Sequence, residues 1–183
     1  MNTLLAWRPA ADTQGDRLAL QSFECTTPRP PFGEPHPRPW EWEVQAGIRH
    51  KILKDTARHA HLDQRLKLAY DTEGLAAVVA HARLNGSPAE LDVPPGAPVR
   101  LLIAIAVAHR HRYNGGEFAD YAFTEALYDI LDREPDADRI SVTAKIDFRN
   151  RASMAMAERN GLELAVPGCE DDPLGWWFIN LER

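Results

Sequence analysis

Cysteine is scarce in this chain: among 183 residues only Cys25 and Cys169 carry thiols. Two thiols do not make a disulfide framework of the kind small secreted domains use, so a reducing, cytoplasmic setting is expected. No N-terminal segment combines a basic start, an apolar run and a small-residue cleavage site, and secretion is not expected. Long apolar runs are missing too. The longest, Leu101 to Ala108, stops at His109-Arg110-His111-Arg112, well short of the roughly 18 to 20 residues that span a bilayer, which excludes a membrane helix. An excess of positive charge is also absent: 21 Lys and Arg stand against 27 Asp and Glu, for a net charge of −6. That balance disfavours the broad basic surface of non-specific nucleic-acid binding. The one basic run, Arg49 to Lys67, is opposed only by Asp55 and Asp63 and reads as a solvated helix end and loop. There is no internal repeat and no linker between two cores. With 44 % hydrophobic residues, residues 1–183 fit one domain that buries roughly 70 % of its unfolded surface.

What is present is a regular alternation of patterns. Two proline-rich stretches, Pro28 to Pro39 and Asp92 to Pro98, read as surface loops, because proline removes a backbone donor and restricts its predecessor. Leu4 to Arg8 reads as a short strand, and Thr13 with Asp16 as a capping-box-like helix start running to about Phe23. Trp40, Val44, Ile48 and Ile52 recur every four residues and predict one stripe of a second helix that begins just after Pro39. Leu66 to Tyr70 and Leu75 to Arg83 read as a hairpin across Asp71-Thr-Glu-Gly74. Val99 to Val107 is so continuously apolar that it is expected in the middle of the sheet, covered on both sides. Ala119, Phe123, Ala126, Ile130 and Leu131 mark a further amphipathic helix ending before Pro135. A strand at Ile140 to Ala144, a helix from Asn150 to Arg159 stopped by Asn160-Gly161, and a closing strand pair at Leu162 to Val166 and Trp176 to Leu181 complete the chain. The expected class is α+β, a mixed and mostly antiparallel sheet flanked by helices.

The chemistry is concentrated where the buried strand meets the next helix, at Val107-Ala-His-Arg-His-Arg112-Tyr-Asn-Gly115-Gly116-Glu-Phe118. Backbone without side chains at Gly115 and Gly116 lets a ligand approach closely. The first N–H groups of the helix have no internal partner and carry the positive end of its dipole, so an anion is favoured there, and Arg112 adds a fixed charge. Downstream, Asn150 to Leu162 is a helix with an Asn at its start, small residues along one face and a Gly-apolar exit.

Together these features resemble the GNAT superfamily of acyl-CoA-dependent N-acetyltransferases, by element order over nearly the whole chain and by motif over Val99 to Leu162. Arg112-Tyr113-Asn114-Gly115-Gly116-Glu117 matches that family's pyrophosphate turn, (Gln/Arg)-x-x-Gly-x-(Gly/Ala), except at Glu117, whose carboxylate must point away from a bound phosphate. The resemblance implies acetyl-CoA as cosubstrate, no metal, an amine-bearing acceptor as partner, and a fold compatible with a homodimer. It puts the pantetheine arm along the backbone of Ile105, Ala106 and Val107. The pyrophosphate falls on Arg112 to Phe118, and Asn150 and Ser153 join the cofactor contacts from the later helix. The position at which many members carry a Tyr general acid is Ala157, and the two usual positions for a glutamate base hold no carboxylate, one of them being Lys145. No catalytic side chain is assigned. Backbone N–H groups near Ala106 and Val107 are the candidate donors to an oxyanion, and the chemistry is expected to proceed by positioning.

On the acceptor side the resemblance points to the loops Pro28 to Pro39 and Pro167 to Gly175, the latter with Glu170, Asp171 and Asp172 able to attract a cationic amine. Trp40, Trp42, Trp176 and Trp177 are core or pocket candidates. His59-x-His61 and His109-x-His111 lack a third and fourth ligand nearby in sequence, so no metal site is assigned. Two other functions fit the same residues: a GNAT-type toxin that acetylates aminoacyl-tRNA, and a non-catalytic acyl-CoA-binding module.

Overall fold

A computed structural model describes residues 6–28, 38–112 and 115–183. The short strand β1 (Ala6–Pro9) leads into α1 (Gln14–Gln21), whose N-cap Thr13 accepts a hydrogen bond from the Asp16 N–H. The reciprocal half of the expected capping box goes elsewhere. Asp16 is fully buried, accepts from the Ala11 N–H at 2.7 Å and from Arg8, and so fastens β1 to the start of the helix. Asp16 has its carboxyl pulled down to about 2, chiefly by the Arg8 hydrogen bonds, with burial opposing. Leu4 and Leu5 of the expected first strand, and Arg29 to Pro37 of the first proline-rich loop, lie outside the described residues.

The expected second helix forms as two, α2 (Pro39–His50) and α3 (Ile52–Arg58), broken at Lys51. The expected apolar stripe needs correction. Val44 is 42 % exposed, and the buried face of α2 is made by Glu41, Gln45 and Ile48. Two polar groups can be buried there because each is satisfied. Gln45 Oε1 accepts from the N–H groups of Cys25 and Thr26, and the Glu41 carboxylate from a hydroxyl and two guanidinium groups.

The hairpin β2 (Arg65–Asp71) and β3 (Gly74–Arg83) forms as expected, with β4 (Val99–Val107) antiparallel beside it. Then come α4 (Glu117–Arg133), β5 (Arg139–Asp147), α5 (Arg151–Arg159), β6 (Glu163–Val166) and β7 (Leu174–Glu182). The seven strands lie in the order β1-β2-β3-β4-β5-β7-β6, with β4 and β5 the parallel pair. One face packs against α1, α2 and α3 through Leu20, Phe23, Ile48, Ile52, Leu68 and Val78. The other packs against α4 and α5 through Phe123, Ile130, Met156, Val142 and Trp177. No helix among the described residues is long and apolar enough to cross a membrane.

Two features of β4 determine where the sheet opens. Its register against β3 slips by one residue, Ala80 facing Ala104 while His81 faces Leu102, so Ile103 is an extra, bulged residue. Its pairing with β5 covers only Val99 to Leu102 against Ser141 to Ala144. The strand is central, as expected, but it is covered on both sides only at its start: Ile103 is 42 % exposed, and Ala104, Ile105 and Val107 are half-buried. The long apolar run therefore serves two purposes, a core in its first half and an open wall in its second.

Candidate functional site

Beyond Leu102 and Ala144 the two middle strands diverge, and a cavity of about 710 Å³ occupies the gap. Backbone alternation decides what the gap offers. The Ala108 N–H donates to the Ala76 carbonyl at 2.7 Å, so Ala108, Ala106 and Ala104 direct their backbone groups at β3, and Ile105 and Val107 direct theirs into the gap. The expected cofactor wall is thereby refined. Ala106 lines the cavity with its amide turned to β3, and the N–H groups of Ile105 and Val107 turn into the gap.

At the C-terminal end of β4 a 3-10 turn, His109–His111, carries the chain to Gly115 and Gly116, with φ of +63° and +90°, before α4 begins. Gly116 is the N-cap, and no side chain caps the helix, so its opening N–H groups are available to an anion. The turn is held from two directions. Below it, His111 stacks on Phe118 with centroids 4.1 Å apart and sits 2.7 Å from Asp71 Oδ2, while Arg110 bonds the same carboxylate. Burial raises the Asp71 carboxyl, but the His111 and Arg110 bonds outweigh it and hold the group below its usual range. Beside it, Arg112 Nη1 donates to Glu41 Oε2 at 2.8 Å, Thr26 Oγ1 donates to the same oxygen at 2.7 Å, and Arg38 reaches Oε1 at 3.4 Å. Glu41 is 5 % exposed. Burial pushes its carboxyl up, yet the hydrogen bonds and the charge of Arg112 bring it below the ordinary value.

Of the twelve residues expected at the cofactor, eight line the cavity: Ile105, Ala106 and Val107 from the strand, Arg112, Gly115 and Gly116 from the turn, Asn150 and Ser153 from α5. Tyr113 and Asn114 lie outside the described residues. Glu117 is exposed and Phe118 packs beneath the turn; neither lines the cavity. The Asn150 side chain accepts from the Ser153 N–H at 3.2 Å and so caps α5. Position 157, where many GNAT members carry a Tyr, presents a fully buried alanine at the cavity.

Three further residues that the motifs do not single out reach the site. Arg159, at the far end of α5, ion-pairs with Asp120 at 2.9 Å and lies so close to Gly116 that a Cβ there would stand 2.5 Å from its Nη2. It brings a second guanidinium to the turn, and nothing local in the sequence marks it. Glu41 does leave a signal, a carboxylate four residues before Gln45 on the same helical face as Ile48. Cys25 also lines the cavity, but burial pushes its thiol up to about 11, so it is not a thiolate nucleophile.

Another part of the wall joins α2 to the end of β5. Trp40, Glu43 and Val44 line the cavity together with Lys145, Asp147 and Leu174. Arg149 pairs with Asp147 at 2.6 Å and stands 5.1 Å above the Trp40 ring, tying the two sides together. The acidic residues Glu170 to Asp172 are exposed and away from the cavity; from their loop only Leu174 reaches it. Trp177 is core, and Trp176 lies under Lys145. His59 and His61 stand with ring centroids 6.1 Å apart, and among the described residues no group of three or more His, Cys, Asp or Glu is placed to hold a metal.

No protein-family profile matches the chain, and no curated protein matches it by sequence. Solved structures do match it by shape. A protein assigned to the GNAT family of acetyltransferases from Desulfovibrio desulfuricans superposes with a TM-score of 0.62 at 15 % identity, covering 98 % of this chain and 99 % of its own. A mutant of the toxin AtaT, bound to the C-terminus of the antitoxin AtaR and to acetyl-CoA, gives 0.63 at 13 % identity, with coverage of 96 % and 92 %. A histone acetyltransferase and related acetyltransferase from Corynebacterium glutamicum gives 0.54 at 20 % identity, with coverage of 95 % and 94 %. Identities this low establish the fold.

Proposed function

From a chain with the fold of GNAT acetyltransferases, we propose that residues 1–183 form one N-acetyltransferase domain that moves an acetyl group from acetyl-CoA to the amine of an acceptor. The observation that carries this reading is the parting of β4 from β5. It leaves the backbone of Ile105 and Val107 unpaired along a cavity that ends at the open N-terminus of α4. Such a cavity fits a long ligand with amides in its middle and phosphates at one end. The strand edge satisfies amides, Gly115 and Gly116 admit phosphates against backbone N–H groups, and Arg112 and Arg159 supply charge. Asp120 and Glu41 temper that charge by pairing with both guanidinium groups.

Acetyl-CoA, when bound, supplies a thioester whose carbonyl carbon accepts the amine nitrogen. The new C–N bond replaces the C–S bond, the electron pair goes to sulfur, and the proton lost from nitrogen completes the thiol. The chain's part is to hold the reactants. The Val107 N–H is oriented toward an oxyanion in the gap, and the apolar walls made by Ile105, Leu102 and Phe123 limit water. Ala157 offers no acid. Of the three carboxylates lining the cavity among the described residues, Glu41 and Asp147 are engaged with guanidinium groups and Glu43 is exposed to solvent. In this reading protons are exchanged with water. Cys25 and Cys169, both free thiols, suit a reducing cytoplasmic compartment.

Titration calorimetry with acetyl-CoA and a thiol-release assay over a panel of amines, aminoacyl-tRNA included, test the proposal. Binding with thiol release that depends on an amine is expected. Replacing Gly115 with leucine should abolish binding at a stability cost of about 1–2 kcal/mol for the left-handed backbone at φ +63°, with no clash because nothing lies within 4 Å of a Cβ there; unchanged affinity removes the basis for the site. Binding without thiol release on any amine would instead indicate an acyl-CoA-binding module, and transfer confined to aminoacyl-tRNA a toxin-like enzyme.

A further inference from the structure

The acceptor half of the cavity carries its own chemical signature, at the fork where the sheet parts. The last paired residues are Leu102 and Ala144, so the next residues along each strand, Ile103 and Lys145, flank the fork. Along β5 the side chains alternate. Val142, Ala144 and Ile146 belong to the core under α4 and α5, and Lys145 points to the opposite face, where α2 stands. Both sides of that corner line the cavity.

Lys145 differs from the other cations there. Arg112 and Arg38 are paired with Glu41, and Arg159 with Asp120. The Lys145 ammonium has no carboxylate within ion-pair distance among the described residues; it rests 4.2 Å from the centroid of Trp176. The aromatic face holds the charge in place without neutralising it. The same cavity is lined by three of the large apolar side chains that the fold leaves exposed, Val44 at 42 %, Ile103 at 42 % and Leu174 at 41 %. Exposed apolar groups gathered at one cavity mark a surface that a ligand covers.

We propose that Lys145 selects acceptors in which the reacting amine lies beside a carboxylate and is attached to an apolar body, the class represented by α-amino acids with apolar side chains. This rests on the acetyl-transfer reading of the site. The carboxylate pairs with the ammonium, the apolar body covers Val44, Ile103 and Leu174, and the amine is brought to the fork. A fixed positive charge near the amine also favours its neutral, nucleophilic form, which suits a site without a base.

The test uses the full chain with acetyl-CoA and matched acceptors: leucine, methionine and phenylalanine, each against its amide, compared at equal concentration of neutral amine. The free acids should be preferred by at least about tenfold in kcat/KM, mostly through KM, as expected for a charge-assisted contact. Lys145→Met keeps an apolar stem over Trp176 and should bring the two series within about twofold, with acetyl-CoA affinity unchanged. Lys145→Arg should keep the preference. Equal use of acids and amides by the unaltered protein overturns the proposal, as does a Lys145→Met variant that loses both series alike. If acetyl-CoA binds and neither series is acetylated, the acceptor assignment fails while the cofactor site stands; if acetyl-CoA does not bind, the acetyl-transfer reading itself fails.

Discussion

Replacing Arg112 with alanine should destabilise the cofactor-free protein, a consequence that its place in the proposed phosphate-binding turn would not suggest. The guanidinium is the closest cationic partner of Glu41, a carboxylate 5 % exposed. Removing one member of a buried ion pair typically costs about 3–5 kcal/mol because the other is left charged and unpaired. Here Arg112 is itself 26 % exposed, and Thr26 and Arg38 still reach Glu41, so the cost falls to about 2–3 kcal/mol. For a chain of this size that corresponds to a fall of roughly 5–10 °C in melting temperature. An exposed arginine that served only a ligand would change stability by within about 0.5 kcal/mol.

The pH dependence separates the two cases. In the unaltered protein the Glu41 carboxyl lies below its unfolded value, so its contribution is present above that value and is lost as pH falls through the folded one. With Arg112 gone, burial is less opposed and the carboxyl moves up. The penalty should then be full at neutral pH and shrink in mild acid as Glu41 takes a proton. Urea unfolding without acetyl-CoA, at about pH 7 and about pH 5, measures both; ligand must be absent because it adds stability by mass action. Combining Arg112→Ala with Glu41→Gln should recover part of the loss. A cost below about 0.5 kcal/mol that does not vary with pH would refute the pairing.

Gly116→Ala should cost about 1–2 kcal/mol for a left-handed backbone at φ +90° and displace the flexible Arg159 tip. Calorimetry should show acetyl-CoA affinity falling further than stability does. Asn150→Ala removes the N-cap of α5, worth about 1 kcal/mol. Cofactor affinity should drop by a further ~0.5–1.5 kcal/mol; a stability loss alone would make Asn150 only a cap. His81 is fully buried, with Nε2 2.9 Å from Asp129. Burial holds its pKa below the usual value, the Asp129 bond opposing, so its contribution is present above about pH 6.5 and lost as pH falls toward the folded value. Stability should therefore decline from about pH 7.5 to about 5.5, and His81→Phe should flatten that slope in urea titrations.

Sequence patterns report what is decided locally. The bounds of β4 agree with the apolar run at both ends, and α5 begins after Asn150 and stops where Gly161 takes φ +80° and Leu162 N–H reaches back to the Ala157 carbonyl. These are contacts within a few residues, set by capping and glycine chemistry. Features that no local pattern reveals depend on pairings distant along the chain. The bulge at Ile103 exists only against the β3 register, and the gap only because β5 leaves β4 after Ala144. Val44 has the spacing of a core residue. It is exposed because the helix turns Glu41 and Gln45 inward to meet Thr26, Cys25 and Arg112, three groups that no periodicity connects to it. Arg159 reaches Gly116 from the far end of another helix for the same reason.

The proposal that positioning suffices without a protein base has a measurable form. Position 157 is alanine and Lys145 stands where a carboxylate would serve. Glu41 and Asp147 are both held below the ordinary carboxylate range, Glu41 by Arg112 and Thr26 against the opposing effect of burial, Asp147 chiefly by Arg149. A carboxylate with a depressed pKa is a weak proton acceptor near neutrality, and one already bonded to a guanidinium must break that bond to act. The rate should then follow the neutral fraction of the acceptor amine: kcat/KM rises about tenfold per pH unit and levels off near the amine's own pKa. Exchanging the acceptor for one of lower pKa should move the break by the same amount, because the titrating group belongs to the acceptor. A break that stays at one pH for every acceptor, or a loss of several orders of magnitude in Glu41→Gln or Asp147→Asn with acetyl-CoA binding retained, would mean that the protein supplies the base and that positioning alone does not account for catalysis.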